Sequence, residues 1–427
     1  MSRLGMFALF ILIMTLAALY FALYSHEGGN VVYNYDEQAP PSVKMSFFGN
    51  KYEAENVEVL EEIITDFMRK RPDVRVSYES LKGAAYYEAL KKRAAAGNYD
   101  DVFIVDHDTA LTFAGKGLLA ELTELAAVQN FSDSMLNQMR DGDGKIYWAP
   151  TSVSAFGLYC NTDLLKAHGQ NVPRNLPEWE AVCGYFVEKG ITPIVANNDI
   201  SLKTLAIAKG FYPIYRGGGE AEIFARLNAG EEKFSLYLRP GFELARRFCD
   251  RGYIDAGRAL KTMKTSDDLK EFAEGKSPFM LTGAWAARRV KAAAPELSFT
   301  IVPYPVLEDG AVLVINPDSR MAVGARGSNP EAAKAFVSFF LRSDNLQKYD
   351  DSQSSFSPMK DGAIPSVKEI APLVESYRAQ RAVIGSDSLI ERPIWGVTAE
   401  VSERLLAGED TDSLMDWMDS ALSREDR

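Results

Sequence analysis

Two tryptophans are the side chains of this chain best suited to bind a flat ligand. Trp285 lies in residues 283–289 (GAWAARR) and Trp395 lies in residues 392–398 (RPIWGVT), each where a loop leads into an amphipathic helix. The flanking Gly and Pro let the backbone turn sharply, which leaves one face of each indole open. An open indole face can pack on the C–H face of a pyranose or on another flat apolar molecule. The alternative, that both rings are half-buried and close a core, stays open on this evidence.

A polar trio follows a short apolar segment in the first quarter of the chain. Asp106, His107 and Asp108 come directly after residues 102–105 (VFIV), which read as a strand. In a parallel sheet, ligands bind at the carboxyl ends of the strands. A carboxylate at that place can accept hydrogen bonds from neighbouring hydroxyl groups. The alternative is that Asp108 or Thr109 caps a helix over residues 109–116.

The first predicted strand, residues 43–48, also ends in polar groups. Gly49 allows a close backbone approach, and Asn50 and Lys51 offer hydrogen-bond donors. Both side chains are therefore candidates for ligand binding, although this segment could equally be an ordinary strand-to-helix loop with Lys51 solvated.

Residues 141–146 (DGDGKI) are similar to the centre of a calcium loop, but Met139 and Pro150 would occupy its first and last positions. We therefore predict a tight hairpin turn that presents Tyr147 and Trp148.

Motifs that would indicate catalysis or a cofactor are incomplete. Residues 275–277 (GKS) lack the upstream glycine of a phosphate loop, since position 270 is a lysine. The histidines at positions 26, 107 and 168 are too scattered to indicate a metal site. Acidic pairs are abundant, so a glycosidase dyad is not excluded, but none is marked out. The motifs therefore predict no catalytic residue, no metal and no cofactor.

Length and composition exclude several classes of protein. The chain has 427 residues, which suits two domains, and its formal net charge of −12 argues against a nucleic-acid partner. The hydrophobic content of 47% is that of a folded globular protein. Three widely spaced cysteines, Cys160, Cys183 and Cys249, have apolar neighbours, so we expect buried free thiols rather than a disulfide framework.

The N-terminal region predicts export. Residues 7–24 carry no charge and follow Arg3, and their length is near the lower limit for a helix that crosses a bilayer. We predict that residues 1–24 are a membrane anchor or signal segment, with an uncleaved anchor favoured because no clear cleavage site follows. Residues 25–42 read as a polar tether. Everything from Ser25 onward is then expected outside the cytoplasm.

The periodicity of apolar residues predicts an α/β fold. A strand at 43–48, a helix at 54–70, a strand at 74–78, a helix at 85–96 and a strand at 102–105 form successive βαβ units with parallel strands. After residue 150 helices dominate, at about 162–168, 177–189, 201–212, 220–229 and 240–251. Strands return at 299–302, 312–315 and 321–323, and the rest is mainly helical. The mainly helical stretch is therefore inserted between two parts of the α/β pattern.

The order of these segments resembles the family 1 extracellular solute-binding proteins, the sugar-capturing components of ABC importers that include maltose-binding protein. The resemblance rests on five segments, namely residues 49–51 with 69–74, 99–102 through 117–122, 144–150 through 156–161, 275–285, and 329–336 to 357–358. Together they cover nearly all of residues 43–423. Each motif is degenerate by itself, whereas the five in order behind an export segment are fairly specific.

The resemblance implies two α/β lobes with a central ligand cleft and three hinge crossings, near 150–155, 303–306 and 357–359. The first lobe would comprise residues 43–150 plus 306–357, and the second lobe residues 151–305 plus 358–427. Trp285 and Trp395 match the stacking platforms of the family, Asp108 matches a carboxylate that binds sugar hydroxyls, and Asn50 and Lys51 match polar groups after the first strand. Tyr147 and Trp148 would lie beside the first hinge.

The function that the resemblance implies is reversible capture of a mono- or oligosaccharide by lobe closure, with delivery to a membrane permease and no chemistry. We expect a monomer. Two departures are noted: Thr109 stands where an arginine often follows the cleft carboxylate, and no lipobox cysteine follows the N-terminal segment. The alternatives are a ligand-binding co-sensor of a membrane signalling system and an extracytoplasmic glycosidase.

Overall fold

The computed structural model describes residues 41–423 except 265, 363–364 and 380–381. The predicted membrane segment 1–24, and all of the predicted tether 25–42 except its end at 41–42, lie outside this part of the chain. Within the described residues, no helix combines the length and the apolar character that a membrane span needs.

One mixed sheet runs through the described chain. Its nine strands are β1 (Val43–Gly49), β2 (Val74–Ser80), β3 (Val102–Val105), β4 (Trp148–Asn161), β5 (Ile194–Val195), β6 (Phe279–Gly283), β7 (Phe299–Val302), β8 (Leu313–Val323) and β9 (Ala382–Ile384). Their order is β2-β1-β3-β8-β4-β6-β5, with β7 paired to β4 and β9 paired to β8. β1 pairs in parallel with both β2 and β3, whereas β3 pairs antiparallel with β8.

Helices cover both faces of the sheet. They are α1 (Ala54–Lys70), α2 (Gly83–Ala95), α3 (His107–Gly115), α4 (Asp133–Met139), α5 (Thr162–Ala167), α6 (Leu176–Glu188), α7 (Ile200–Gly217), α8 (Glu220–Asn228), α9 (Phe234–Asp250), α10 (Ala256–Ala259), α11 (Asp267–Ala273), α12 (Ala287–Ala293), α13 (Pro330–Phe340), α14 (Ser343–Gln353), α15 (Ala371–Arg378), α16 (Ile394–Leu406) and α17 (Thr411–Ser423). Short 3-10 helices lie at Ala126–Asn130, Ala284–Ala286 and Lys368–Ile370.

The predicted βαβ units at the start of the described chain are confirmed. α1 has the predicted bounds, 54–70, and its apolar stripe of Leu60, Ile63 and Phe67 is buried. It connects β1 to β2, and α2 connects β2 to β3, so each parallel pair is joined by a helix. This arrangement brings the ends of β1 and β3, with their polar residues, to the same edge of the sheet.

The long strands β4 and β8 join two lobes. The N-terminal part of β4 pairs with β8, and its C-terminal part pairs with β6 and β7. In the same way, the C-terminal part of β8 pairs with β3 and its N-terminal part pairs with β9. We call the part of the molecule around β1–β3 the first lobe and the part around β5–β7 and β9 the second lobe. The sheet therefore continues from one lobe into the other.

The first crossing between the lobes lies in β4, and the second lies in β8. Tyr304 and Val312 exchange backbone hydrogen bonds and are fully buried in the second-lobe core, so the chain is still in the second lobe there. The second crossing therefore comes later than the predicted 303–306. The segments 312–315 and 321–323, predicted as separate strands, are parts of one strand because the polar residues between them stay in the ladder with β4.

The third crossing also lies later in the chain than the predicted 357–359. Phe356 pairs with Val153 of β4, and the backbone N–H of Lys360 still donates to Asn130 of the first lobe at 2.9 Å. α15 then packs against β7 of the second lobe. The chain changes lobe only after it has completed these backbone hydrogen bonds.

Two helices of the second lobe pass through prolines, which the sequence-based helix ends did not allow for. α7 contains Pro213 and α9 contains Pro240, so the end predicted at 212 and the start predicted at 240 are wrong. The two helices cross closely: a Cβ added at Gly241 would lie 2.2 Å from the carbonyl oxygen of Ala206. The close packing of the two helices at Gly241 offsets the free-energy cost of a proline inside a helix.

The thiols are only partly as expected. Cys160 and Cys183 are buried, and Cys249 is half-buried; all three are free.

Candidate ligand cleft between the lobes

The two tryptophans predicted to bind a flat ligand lie on either side of one phenylalanine. Phe156 of β4 contacts Trp285 edge-to-face, with ring centroids 5.2 Å apart, and contacts Trp395 at 5.5 Å. Trp285 follows β6 directly, and Trp395 lies in the first turn of α16. Both indoles are half-buried, whereas Phe156 is buried. Separate strands and helices of the second lobe thus bring three aromatic rings together.

Two glycines make room for these indoles. A Cβ added at Gly283 would lie 2.0 Å from Cζ3 of Trp285, and one added at Gly385 would lie 2.9 Å from Cζ3 of Trp395. Neither position could carry a side chain without moving the ring, because real Cβ atoms do not approach other atoms so closely. The orientation of both rings therefore depends on glycine at these two positions.

A buried lysine lies against one of the indoles. The ammonium of Lys203 is 4.1 Å from the ring centroid of Trp395 and 2.6 Å from Oδ1 of Asp199. Burial lowers the pKa of Lys203 to about 8, although the Asp199 carboxylate opposes this shift. The cation therefore covers part of the indole surface through a cation–π contact. Sequence reasoning missed Lys203, because a lysine in an apolar helix pattern reads as a solvated residue.

Asp106 caps α3, which corrects the expectation that Asp108 or Thr109 would do so. Its Oδ1 accepts a hydrogen bond from the backbone N–H of Thr109 at 2.8 Å. Asp108 is thereby left free for another role. Its Oδ1 is buried and has no hydrogen-bond partner among the described residues. A Cβ added at Gly396 would lie 3.3 Å from its Oδ2, so this carboxyl group is next to Trp395.

The surroundings of Asp108 disfavour its charge. Burial, followed by the neighbouring carboxylate of Asp106, raises the pKa of Asp108 to about 7. Arg320 and Lys203 act in the opposite direction. A hydrogen-bond donor of a ligand, placed at the unpartnered oxygen, would stabilise the ionised form.

His107 is committed to the protein itself. Its Nε2 lies 2.9 Å from the carbonyl oxygen of Ile390 in the second lobe. Burial, helped by the nearby guanidinium of Arg320, lowers the pKa of His107 to about 3, so the ring is neutral. A neutral ring whose Nε2 carries the proton donates to that carbonyl group. The contact joins the lobes.

Asn50 and Lys51 lie at the end of β1, as expected from the sequence. Asn50 donates from Nδ2 to the hydroxyl of Tyr87 at 3.2 Å, and its Oδ1 is buried without a partner among the described residues. Burial would lower the pKa of Lys51, but the Tyr349 hydroxyl and the Asp318 carboxylate more than offset this and raise it. Lys51 is therefore a cation, and Asn50 presents a free acceptor.

Trp148 begins β4, and Tyr147 immediately precedes it. Trp148 is only 8% exposed, and the guanidinium of Arg320 lies 4.8 Å from its ring centroid. Tyr147 is half-buried against the first-lobe core. Within the described part of the chain, Trp148 makes no ring contact with Trp285 or Trp395. The predicted turn before these residues is confirmed, since Asp141 accepts from the backbone N–H groups of Asp143 and Lys145.

Two polar residues of β8, Asp318 and Arg320, lie near the candidate residues and were missed from the sequence. Arg320 is 4% exposed, and burial lowers its pKa although the carboxylates of Asp106 and Asp318 oppose this. Asp318 accepts a hydrogen bond from the hydroxyl of Ser154 at 2.5 Å. The signal that could have identified them is the polar run NPDSR (316–320), which interrupts an otherwise apolar strand.

An ion pair connects the lobes on another side of the cleft. Glu53, just before α1, lies 3.6 Å from the guanidinium of Arg289 on α12.

Two cavities of about 350 and 560 Å³ lie elsewhere, around residues 162–182 of the second lobe, and no candidate residue lines them. Among the residues that the structure describes, no group of three or more His, Cys, Asp or Glu side chains could hold a metal ion.

Two lobes on a shared sheet, with aromatic rings and unpartnered polar atoms between them, define a two-lobed binding protein. The profile of the family described as "Bacterial extracellular solute-binding protein" matches residues 50–347. The chain belongs to this family. The sequence-based recognition, the two-lobed α/β fold and the assignment as a binding protein rather than an enzyme are thereby confirmed.

Known proteins with similar sequences and folds agree with this assignment. The chain is 22% identical over 284 residues to a maltooligosaccharide ABC transporter solute-binding lipoprotein of Streptococcus pneumoniae (strain ATCC BAA-255 / R6), covering 64% of this chain and 63% of that protein. The structure is similar to apo RafE from Streptococcus pneumoniae, with a TM-score of 0.68, 21% identity, and 90% and 98% of the two chains covered. It is also similar to a sugar transporter from Bacillus licheniformis in complex with stachyose, with a TM-score of 0.71, 19% identity, and 89% and 99% covered.

Proposed function

We propose that this protein captures a carbohydrate, a mono- or oligosaccharide, in the cleft between its lobes as the binding component of an ABC importer. The observation that carries the proposal is the contact of two indoles with Phe156, together with the Oδ1 of Asp108, which has no partner among the described residues and whose carboxyl group lies against Gly396, next in sequence to Trp395. A pyranose has apolar C–H faces for the indoles and hydroxyl donors for such acceptors.

The binding mode follows from the positions of these groups. Trp285 and Trp395 would stack on sugar rings, while Asp108 and Asn50 would accept hydrogen bonds from hydroxyl groups. Leaving buried acceptors unpaired costs free energy, so a ligand that supplies donors gains more than one that does not. Lys51 and Arg320 would donate to ring and hydroxyl oxygens. Similar proteins named for maltooligosaccharides and solved with stachyose support this class of ligand.

We infer that the protein works outside the cytoplasm as a monomer, tethered through residues 7–24, and delivers its ligand to a membrane permease. The family description as extracellular supports the location. The lobes would close on the sugar because each supplies part of its contacts. The tether lies outside the described residues and follows from the apolar N-terminal segment alone.

The test is isothermal titration calorimetry with raffinose, stachyose and maltotriose, and with glycine, glutamate and Zn²⁺ as non-sugar controls. We expect at least one sugar to bind with an affinity near micromolar, which corresponds to roughly 8 kcal/mol. Binding of an amino acid or of Zn²⁺, together with no heat from any sugar, would show that the carbohydrate assignment is wrong.

A further inference from the structure

The segment between β9 and α16 determines where Trp395 lies. We call residues 385–393 the Trp395 loop. At its start, Gly385 touches the edge of the indole, since a Cβ there would be 2.9 Å from Cζ3. At its end, the carbonyl group of Pro393 accepts from the backbone N–H of Val397 at 3.0 Å in the first turn of α16. A displacement of the loop would therefore displace the ring.

Groups of the second lobe hold the loop from one side. Asn228 at the end of α8 donates from Nδ2 to the carbonyl oxygen of Leu389 at 2.7 Å and accepts at Oδ1 from the N–H of Glu391 at 2.9 Å. The hydroxyl of Tyr215 donates to the carboxylate of Asp387. These contacts stay within one lobe and do not depend on the position of the other.

Groups of the first lobe hold the same loop from the other side. Gln138 of α4 donates from Nε2 to Oδ1 of Asp387 at 2.9 Å and accepts at Oε1 from the N–H of Ser388 at 2.8 Å. His107 adds its contact with Ile390. Gln138 is only 5% exposed, so both of its bonds are shielded from water. A substitution that removes one partner of these bonds would leave a buried donor or acceptor unpaired. The free-energy cost of that unpaired group exceeds the net contribution of the intact bond to stability.

We propose that Gln138 is a positioning residue through which the first lobe sets the orientation of Trp395, by way of the Trp395 loop. The inference rests on the proposed function in one respect: the orientation of Trp395 matters because this ring would stack on the sugar. Gln138 would act on the indole through its hydrogen bonds to Asp387 and Ser388. The binding platform of one lobe then takes part of its orientation from its contact with the other lobe.

The experiment exchanges the two side chains that meet between the lobes. Q138E places a carboxylate against the carboxylate of Asp387, and D387N removes the acceptor charge. The double variant Q138E/D387N again sets a carboxylate opposite an amide and leaves the net charge as in the wild type. The full-length protein is labelled with 5-fluorotryptophan, and its ¹⁹F NMR spectrum is recorded without sugar. W395F assigns the resonance of Trp395, and Trp417, which lies on α17 under Arg404, is the internal control.

We expect Q138E to shift or broaden the Trp395 resonance, to leave the Trp417 resonance unchanged, and to be reversed in the double variant. The same Trp395 resonance in wild type and Q138E would overturn the inference, as would a shift that the double variant does not reverse. If Q138E does not fold, Q138M, which removes both hydrogen bonds without adding charge, takes its place with the same expected shift.

Raffinose binding gives a second readout. Q138E is expected to weaken raffinose affinity roughly tenfold, as the loss of a buried hydrogen-bonded contact implies, and the double variant to restore it. If the wild-type protein binds none of the sugars tested above, the proposed function fails. The ¹⁹F comparison needs no sugar, so it still decides whether Gln138 positions Trp395.

Discussion

Single side chains from both lobes are expected to contribute to ligand binding. Phe156 fixes the spacing of Trp285 and Trp395, and Lys203 pairs its charge with the face of Trp395. Asp108 of the first lobe lies against Gly396, the residue that follows Trp395, and has a carboxyl oxygen that no described residue satisfies. Aromatic surface supplies affinity and the unpaired acceptor supplies selectivity for hydroxyl groups, because an unmatched buried polar atom is costly.

The first prediction concerns the indoles. W285A and W395A should each weaken sugar affinity by roughly ten- to a hundredfold, because each removes a large apolar face from the contact. Calorimetric titration with raffinose, stachyose and maltotriose measures the loss. W417F serves as the control. Trp417 lies on α17, where its ring packs against the guanidinium of Arg404 on α16. Unchanged affinity in both alanine variants would contradict the stacking role.

The second prediction concerns the pH dependence of stability. The pKa of Asp108 is about 7 in the folded protein, well above the ordinary value of about 3.9 in an unfolded chain. Between these values the folded state keeps a proton that the unfolded state has lost. The contribution of Asp108 to the free energy of unfolding therefore falls as pH rises from about 4 to about 7 and is constant above. D108N should gain stability relative to wild type across that range.

Urea denaturation from pH 4 to pH 8 tests this prediction. The pKa of His107 is lowered to about 3, so its contribution to the free energy of unfolding rises with pH up to the ordinary histidine pKa. This contribution is the same in wild type and D108N and cancels in their difference. D143N, at an exposed turn, is the matched control. A difference between D108N and wild type that does not change with pH would refute the assignment of a raised pKa to Asp108.

The elements of the fold could be predicted where local pattern and tertiary packing agree. The stripe of α1 and the alternation of β2 predicted these elements correctly, because their buried faces follow the period of each structure. The helix ends at Pro213 and Pro240 could not be found, since close packing of α7 on α9 is a contact between distant residues. Trp285, Trp395 and Asp108 could be proposed as candidates from the sequence because they stand at element ends. Arg320 and Lys203 lie inside elements, where sequence gives no reason to expect a cleft.

The third prediction concerns the crossing of α7 and α9. G241A should destabilise the protein by about 1–3 kcal/mol, because the added methyl group meets the backbone of Ala206 and the helices must separate. G217A, at the end of α7, adds a methyl group in open space and should be neutral or slightly stabilising. Thermal and urea unfolding compare the two variants. Equal stabilities would mean that the crossing is more adaptable than it appears from the geometry.

At the scale of the whole molecule, several polar contacts join the lobes beside the shared sheet and the apolar core cluster to which both lobes contribute. Glu53 pairs with Arg289, His107 contacts Ile390, and Gln138 bonds to the Trp395 loop. These polar contacts can form and break more readily than the shared apolar core, so they are the contacts expected to change when the lobes move. None of these pairs could be predicted from the sequence, because each joins residues more than a hundred positions apart.

The fourth prediction concerns the ion pair. E53Q should shift the ligand-free protein towards a more open form, seen as a larger radius of gyration in small-angle X-ray scattering. The effect should be small, since a partly exposed ion pair contributes up to about 1 kcal/mol, and it should vanish at high salt. E62Q removes an ion pair with Lys348 inside the first lobe and should leave the radius unchanged. Identical scattering from wild type and E53Q at low salt would argue against the role of this pair.

The continuous course of β4 and β8 has a consequence for how the protein melts. Two units joined by loose connectors can lose their order one after the other, each with its own midpoint. Here β4 and β8 each form hydrogen bonds with strands of both lobes, so neither lobe keeps a complete sheet when the other lobe unfolds. Scanning calorimetry should accordingly record one heat-absorption peak, and a fragment cut out at the hinge should not stay folded unaided.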